Sequence, residues 1–200
     1  EAPTTMRARS TGDIRVLELG VCAGHSITMW AEFLGKGSYI LGVDRNHTFL
    51  NALLPTLLKR LEKSTAADMQ LLEGDYLNTE VLEMVRKHGP FDVILDDGGH
   101  SKEVIENTFQ ELFYSVLAPG GVYIVTDTRE MMEEDNGLDF FYGMASSSTF
   151  NGKAINTVAG INWYLATTPD PSQAYVESVT FKRNLVIVKK RPEAIHPLIK

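Results

Sequence analysis

The run Asp96-Asp97-Gly98-Gly99-His100 sets two carboxylates, a glycine turn and an imidazole side by side. A further acid, Asp127, ends a later apolar run. Two carboxylates brought close repel unless a cation or a proton sits between them. All-oxygen ligation suits Mg²⁺, which keeps several waters and accepts substrate oxygens. Asp97 and Asp127 are therefore the candidate metal ligands. His100 lies just past the turn, and histidine is the side chain most often used as a general base, so His100 and Asp97 are the candidate catalytic residues. The same residues serve equally well as helix caps and salt-bridge partners.

A second constellation lies upstream. Val16-Leu17-Glu18-Leu19-Gly20-Val21-Cys22-Ala23-Gly24-His25-Ser26 reads as a buried strand, a glycine turn and a helix start. Its Glu18-x-Gly20-x-x-x-Gly24 spacing lacks the third glycine of the dinucleotide fingerprint G-x-G-x-x-G. That suits a ligand without pyrophosphate, and S-adenosylmethionine (SAM) is one. Asp44, at the end of the second apolar run, is placed to accept ribose hydroxyls, and Gly74-Asp75, after the third, to hold an adenine amine. The candidate cofactor-binding residues are Glu18, Gly20, Gly24, Ser26, Asp44, Gly74, Asp75 and Asp96. Acids are also common in strand-to-helix loops, where they cap helices, but here they recur at equivalent positions.

The elements that must carry these residues follow from periodicity. Apolar runs at Ile14–Leu19, Tyr39–Val43, Asp68–Leu72, Phe91–Leu95 and Val122–Val125 predict five buried parallel strands. Helical spacing fills the intervals: Ala23–Leu34, Leu50–Leu61 (interrupted near its start by Pro55), Thr79–His88 and Lys102–Leu117, the last followed by a turn at Ala118–Gly121. Two further strands, Tyr175–Phe181 and Leu185–Lys190, are joined by too few residues for a parallel crossover and must form an antiparallel hairpin. The expected fold is α/β, a Rossmann-like sheet of five parallel strands plus a C-terminal antiparallel hairpin, with helices on both faces; this combination resembles the class I methyltransferase sheet, which implies the strand order 3-2-1-4-5. In that order Asp97 and Asp127 are expected to face each other at neighbouring strand ends, about 4.8 Å apart.

The 200 residues suit one domain, with a flexible leading segment at 1–12 and an acidic lid or substrate region at 129–168. A net charge of −7 argues against nucleic acid or an anionic membrane as partner. A single cysteine, Cys22, excludes an intrachain disulfide and fits a reducing, cytoplasmic setting.

Taken together, Glu18-Leu-Gly20, Gly24-His25-Ser26, Thr28-Met29-Trp30, Gly42-Val43-Asp44, Gly89-Pro90-Phe91-Asp92, Asp96-Asp97-Gly98-Gly99-His100, Pro119-Gly120-Gly121 and the ending Phe181-Lys182-Arg183-Asn184-Leu185-Val186-Ile187-Val188 are similar to the macrocin and mycinamicin type of sugar O-methyltransferases, with cephalosporin hydroxylase-like proteins as more distant relatives. The resemblance implies Mg²⁺ on Asp97 and a base at His100. It also implies a Glu-Asp pair at the end of the fifth strand; here Thr126 stands where the glutamate would be. The resulting expectation is a SAM-dependent, Mg²⁺-assisted O-methyltransferase acting on a small hydroxylated acceptor, with a homo-oligomer left open. The alternatives are a nicotinamide-dependent oxidoreductase and a non-catalytic SAM-binding domain.

Overall fold

The structure is a computed structural model, and it describes residues 13–46, 48–61, 66–128, 138–149 and 174–193. The elements run β1 (Arg15–Leu19), α1 (His25–Leu34), β2 (Tyr39–Asp44), α2 (Thr48–Leu61), β3 (Asp68–Glu73), α3 (Thr79–His88), β4 (Phe91–Asp96), α4 (Lys102–Ser115), β5 (Leu117–Thr126), α5 (Asp139–Thr149), β6 (Val176–Lys182) and β7 (Leu185–Lys190). They build a seven-stranded sheet in the order β3-β2-β1-β4-β5-β7-β6. The first five strands pair in parallel, and β7 joins β5 antiparallel with β6 on its outer edge. The expected sheet order and hairpin are therefore present. The expected leading segment (1–12) and most of the expected lid (129–168) lie outside the described residues. Among the described residues no helix is long and apolar enough to cross a membrane.

Alternation along each strand divides the core in two. Leu17, Leu19, Leu41, Val43, Ile94, Tyr123 and Val125 pack with side chains of α3, α4 and α5. Val16 and Ile40 pack instead with Ile27 and Ala31 of α1 and Leu50 of α2. This sorting decides where the acids at the strand ends point. Glu18 follows Val16 onto the α1 side, and Asp96 follows Ile94 onto the α4 side.

Several boundaries differ from the expectation. Helix α2 starts at Thr48, so Pro55 lies well inside it rather than near its start. Helix α4 stops at Ser115, and the turn expected at Ala118–Gly121 is instead part of a long β5 beginning at Leu117. Pairing with β4 is the cause: Leu117 is in register with Phe91, and the Phe91 N–H donates to the Val116 carbonyl at 2.8 Å. Within the expected lid or substrate region, a helix stands at Asp139–Thr149; it buries Phe141 and Met144.

The end of α4 is held from across the sheet by Lys190. Its buried ammonium donates to the carbonyls of Phe113 (2.7 Å), Leu117 (2.7 Å) and Tyr114 (3.4 Å), and burial pushes its pKa down. Lys190→Met keeps the side chain's length but leaves those carbonyls without their donor. It is expected to lower unfolding free energy by about 2–3 kcal/mol, the usual worth of hydrogen bonds to a charged group. Urea denaturation monitored by far-UV circular dichroism checks this.

Candidate active site

The carboxyl ends of β1, β2, β4 and β5 meet at one edge of the sheet, where an α/β fold binds its ligands. The turn after β1 is unusual backbone: Gly20, Cys22 and Gly24 all have positive φ, at 82°, 47° and 81°. Gly20 must be glycine for a specific reason. A Cβ there would meet the carbonyl group of Asp97, with the carbon at 2.6 Å, and Gly98 Cα at 2.7 Å. The Gly20 N–H donates to the Val43 carbonyl (2.9 Å), and the Asp97 N–H to the Leu19 carbonyl (3.0 Å). The glycine thus makes room for the Asp97-Gly98 backbone. The two constellations that the sequence holds far apart are in direct backbone contact.

The remaining candidate residues fall into three groups. On the α1 side, Glu18 is fully buried and accepts a short hydrogen bond from the Ser26 hydroxyl; its other oxygen, Oε2, is buried with no hydrogen-bond partner among the described residues. Burial pushes the Glu18 pKa up to about 7, Ser26 pulls it down, and the nearby Asp97 charge raises it further. Asp97 itself is exposed.

Asp44 occupies the rim of the turn. Its carboxylate accepts the Cys22 N–H (2.7 Å) and the Asn46 N–H (3.0 Å), which fixes it beside Gly20–Gly24. The Gly74 N–H donates to the Asp44 carbonyl (2.8 Å), and the Asp75 carboxylate accepts the Leu77 N–H (2.9 Å), so this pair shapes the turn after β3.

Beneath the glycine turn after β4 lies the third group. Asp96 is turned into the core, accepts the Tyr123 hydroxyl at 2.7 Å, and has its pKa raised to about 6 by burial. The Tyr123 and Gly98 hydrogen bonds and the His100 charge act in the opposite direction on Asp96. His100 Nδ1 is buried with no hydrogen-bond partner among the described residues.

Adjacent aspartates therefore have opposite surroundings because consecutive strand residues face opposite ways. The register also corrects one expectation. Asp96 pairs with Val125, so the residue across from Asp97 is Thr126, not Asp127. The Thr126 hydroxyl donates to Asp97 Oδ1 at 2.6 Å. Asp127 follows at φ 49°, exposed, where the chain leaves the strand. Among the described residues, no three His, Cys, Asp or Glu side chains gather into a cation-binding set.

Tyr76 is a site residue that sequence reading missed. A Cβ on Gly98 would lie 2.5 Å from its hydroxyl oxygen, and one on Gly99 would lie 3.2 Å away. Burial, then the Asp96 charge, raise its pKa to about 12, partly offset by a hydrogen bond from the Gly99 backbone. The paired glycines signal a close neighbour; which neighbour is a matter of the fold.

The sequence profile of a family described as a methyltransferase domain matches residues 17–128, which carry the strand ends that build this site. The chain belongs to that methyltransferase family. Over 124 residues the methyltransferase domain is 32% identical to mycinamicin VI 2''-O-methyltransferase of Micromonospora griseorubida, an alignment covering 57% of this chain and 27% of that protein. Over 125 residues it is 31% identical to demethylmacrocin O-methyltransferase of Streptomyces fradiae, covering 58% and 27%. The chain thus spans 27% of the length of each of these two curated relatives. Among solved structures, the MycE methyltransferase of mycinamycin biosynthesis, in complex with Mg, SAH and mycinamycin VI, superposes with a TM-score of 0.67 at 21% identity, covering 94% of this chain and 48% of that one. This last likeness concerns the fold.

Proposed function

We propose that this methyltransferase domain, read as a single domain over residues 1–200, transfers the methyl group of SAM to a hydroxyl of a sugar or other natural-product acceptor. The observation that carries the reading is the contact between Gly20 and the Asp97-Gly98 backbone. It makes the glycine turn and the Asp-Asp-Gly-Gly-His loop one site, so a ligand on the first is presented to the side chains of the second. Both curated relatives named above are O-methyltransferases.

The residues fit SAM in charge. Glu18 Oε2, buried without a partner, and Asp44, fixed at the rim, offer anionic acceptors to a ligand with a sulfonium, an ammonium and a ribose diol. SAM supplies an activated methyl group. They fit Mg²⁺ in donor type: Asp97 and Asp127 supply two carboxylates at neighbouring strand ends, and Mg²⁺ is commonly held by one or two carboxylates with the remaining positions left to water and substrate. A cation held there lowers the pKa of an acceptor hydroxyl. His100 accepts the hydroxyl proton. Asp96, a buried carboxylate held by the Tyr123 hydroxyl, interacts electrostatically with His100 and stabilises the imidazolium that results.

Incubation with labelled SAM and a panel of glycosylated hydroxylic acceptors tests the function. Methyl transfer is expected, abolished by EDTA and restored by excess Mg²⁺. Undiminished transfer in chelator removes the cation from the reading. Calorimetry in which NAD binds and SAM does not overturns the methyltransferase reading itself.

A further inference from the structure

We infer that Tyr76 is a positioning residue for His100: its hydroxyl, seated beneath Gly98 and Gly99, holds the loop after β4 on the path that places the imidazole. The inference rests on the base reading above and adds a residue to it.

The turn after β3 supplies a rigid mount. The Asn78 N–H donates to the Asp75 carbonyl (2.8 Å), which makes Tyr76 the second residue of a tight turn, and the Leu77 N–H donates to the Asp75 carboxylate at 2.9 Å. The Asn78 side chain then caps α3 by accepting the Glu80 N–H (2.8 Å). The Tyr76 ring is buried and packs into the core on the α3 and α4 side. Its hydroxyl ends under the loop after β4: a Cβ on Gly98 would lie 2.5 Å from the oxygen, and one on Gly99 would lie 3.2 Å away.

Two successive backbone donors of the loop are committed to buried acceptors. The Gly98 N–H donates to the Asp96 carboxylate, and the Gly99 N–H donates to the Tyr76 oxygen. On its other side Gly99 meets α4, where a Cβ would run into Val104 of the first turn. Gly99, the residue before His100, is therefore clamped between Tyr76 and α4. The clamp matters because the ordinary fastening of a helix start is missing among the described residues: Ser101 stands at the N-cap of α4 without a side-chain capping bond, whereas Asn78 caps α3. Removing the Tyr76 oxygen leaves the Gly99 N–H without its acceptor and loosens one side of the clamp, while a phenylalanine ring still fills the core. A base must lie within hydrogen-bond reach of the proton it takes, and a displacement of about 1 Å is enough to cost turnover.

The test compares the full chain with Tyr76→Phe, alone and combined with His100→Gln. Amide hydrogen exchange followed by NMR, with SAH bound, reads the contact itself. The Gly99 amide is expected to exchange about tenfold faster in Tyr76→Phe, the loss of one ordinary hydrogen bond, while the Asp97 amide, bonded to the Leu19 carbonyl, keeps its rate. Transfer from labelled SAM to the glycosylated acceptor that reacts fastest in the panel above reads the consequence. Tyr76→Phe is expected to lower kcat about tenfold, with KM for the acceptor and SAH affinity unchanged. In the His100→Gln background the same change is expected to cost less than about twofold, because Tyr76 acts through the imidazole. A wild-type exchange rate at Gly99, or a wild-type kcat in Tyr76→Phe, overturns the assignment and leaves the base reading standing. An equal loss in both backgrounds overturns it too, since a merely structural hydroxyl would be felt whether or not the imidazole is there. Absence of transfer by the wild-type chain to every acceptor overturns the methyltransferase reading, and the role of Tyr76 with it.

Discussion

His100→Ala is expected to lower kcat for methyl transfer by about 100-fold or more, the usual contribution of a positioned general base, while leaving SAM affinity near its wild-type value. The imidazole sits at the end of a loop whose backbone is pinned from two directions, by Gly20 beneath Asp97-Gly98 and by Tyr76 against Gly98-Gly99. Its Nδ1 is buried, and its charge interacts with Asp96. None of these contacts belongs to the Glu18, Ser26 and Asp44 group proposed to hold SAM. The loss therefore falls on kcat and spares cofactor binding. A second variant, His100→Gln, keeps hydrogen-bonding capacity without basicity and is expected to be as slow. Single-turnover methylation with isothermal titration of SAM separates the two effects. Wild-type turnover in both variants would remove His100 as the base.

The strand ends could be read from the sequence because a buried parallel sheet demands continuous apolar runs, and those at β1, β2, β4 and β5 carry an acid at or within a residue of their ends. The closing hairpin followed from a connection length, whereas the strand order 3-2-1-4-5 came with the resemblance to the class I methyltransferase sheet. Which acid faces which way was less accessible. Asp96 and Asp97 look equivalent as letters, yet period two buries one against Tyr123 and exposes the other. The partner of Asp97 was misplaced by one residue because register depends on the irregularity between Phe91 and Val93, which no composition signal marks. Helix α5 escaped notice because Gly143 and a run of Ser and Thr are poor helix formers; burial of Phe141 and Met144 overrides that preference. Tyr76 was invisible for a different reason. Its role is to fill the space beside two glycines that lie on another loop.

Gly20→Ala is expected to be the most damaging small substitution in the chain, lowering unfolding free energy by about 3 kcal/mol or more and SAM affinity with it. Two costs add. Alanine at φ 82° enters the left-handed region, at a cost of about 1–2 kcal/mol. Its methyl group would also meet the backbone of Asp97 and Gly98, with Gly98 Cα at 2.7 Å. Backbone cannot rotate aside as a side chain does, so either the turn after β1 or the loop after β4 must move. The first displacement disturbs Glu18 and the cofactor end, and the second carries Asp97 and His100 away from it. Gly120→Ala separates the two costs. Its φ is 77°, but the nearest atom to a Cβ there, Pro192 Cβ, is 3.9 Å away. Only the conformational cost applies, and about 1–2 kcal/mol is expected with SAM affinity unchanged. Urea unfolding of both variants, with SAH titrations of each, reads the difference. Equal stability losses in the two would mean that the turn after β1 and the loop after β4 are not in contact, and the single site built from them would come apart.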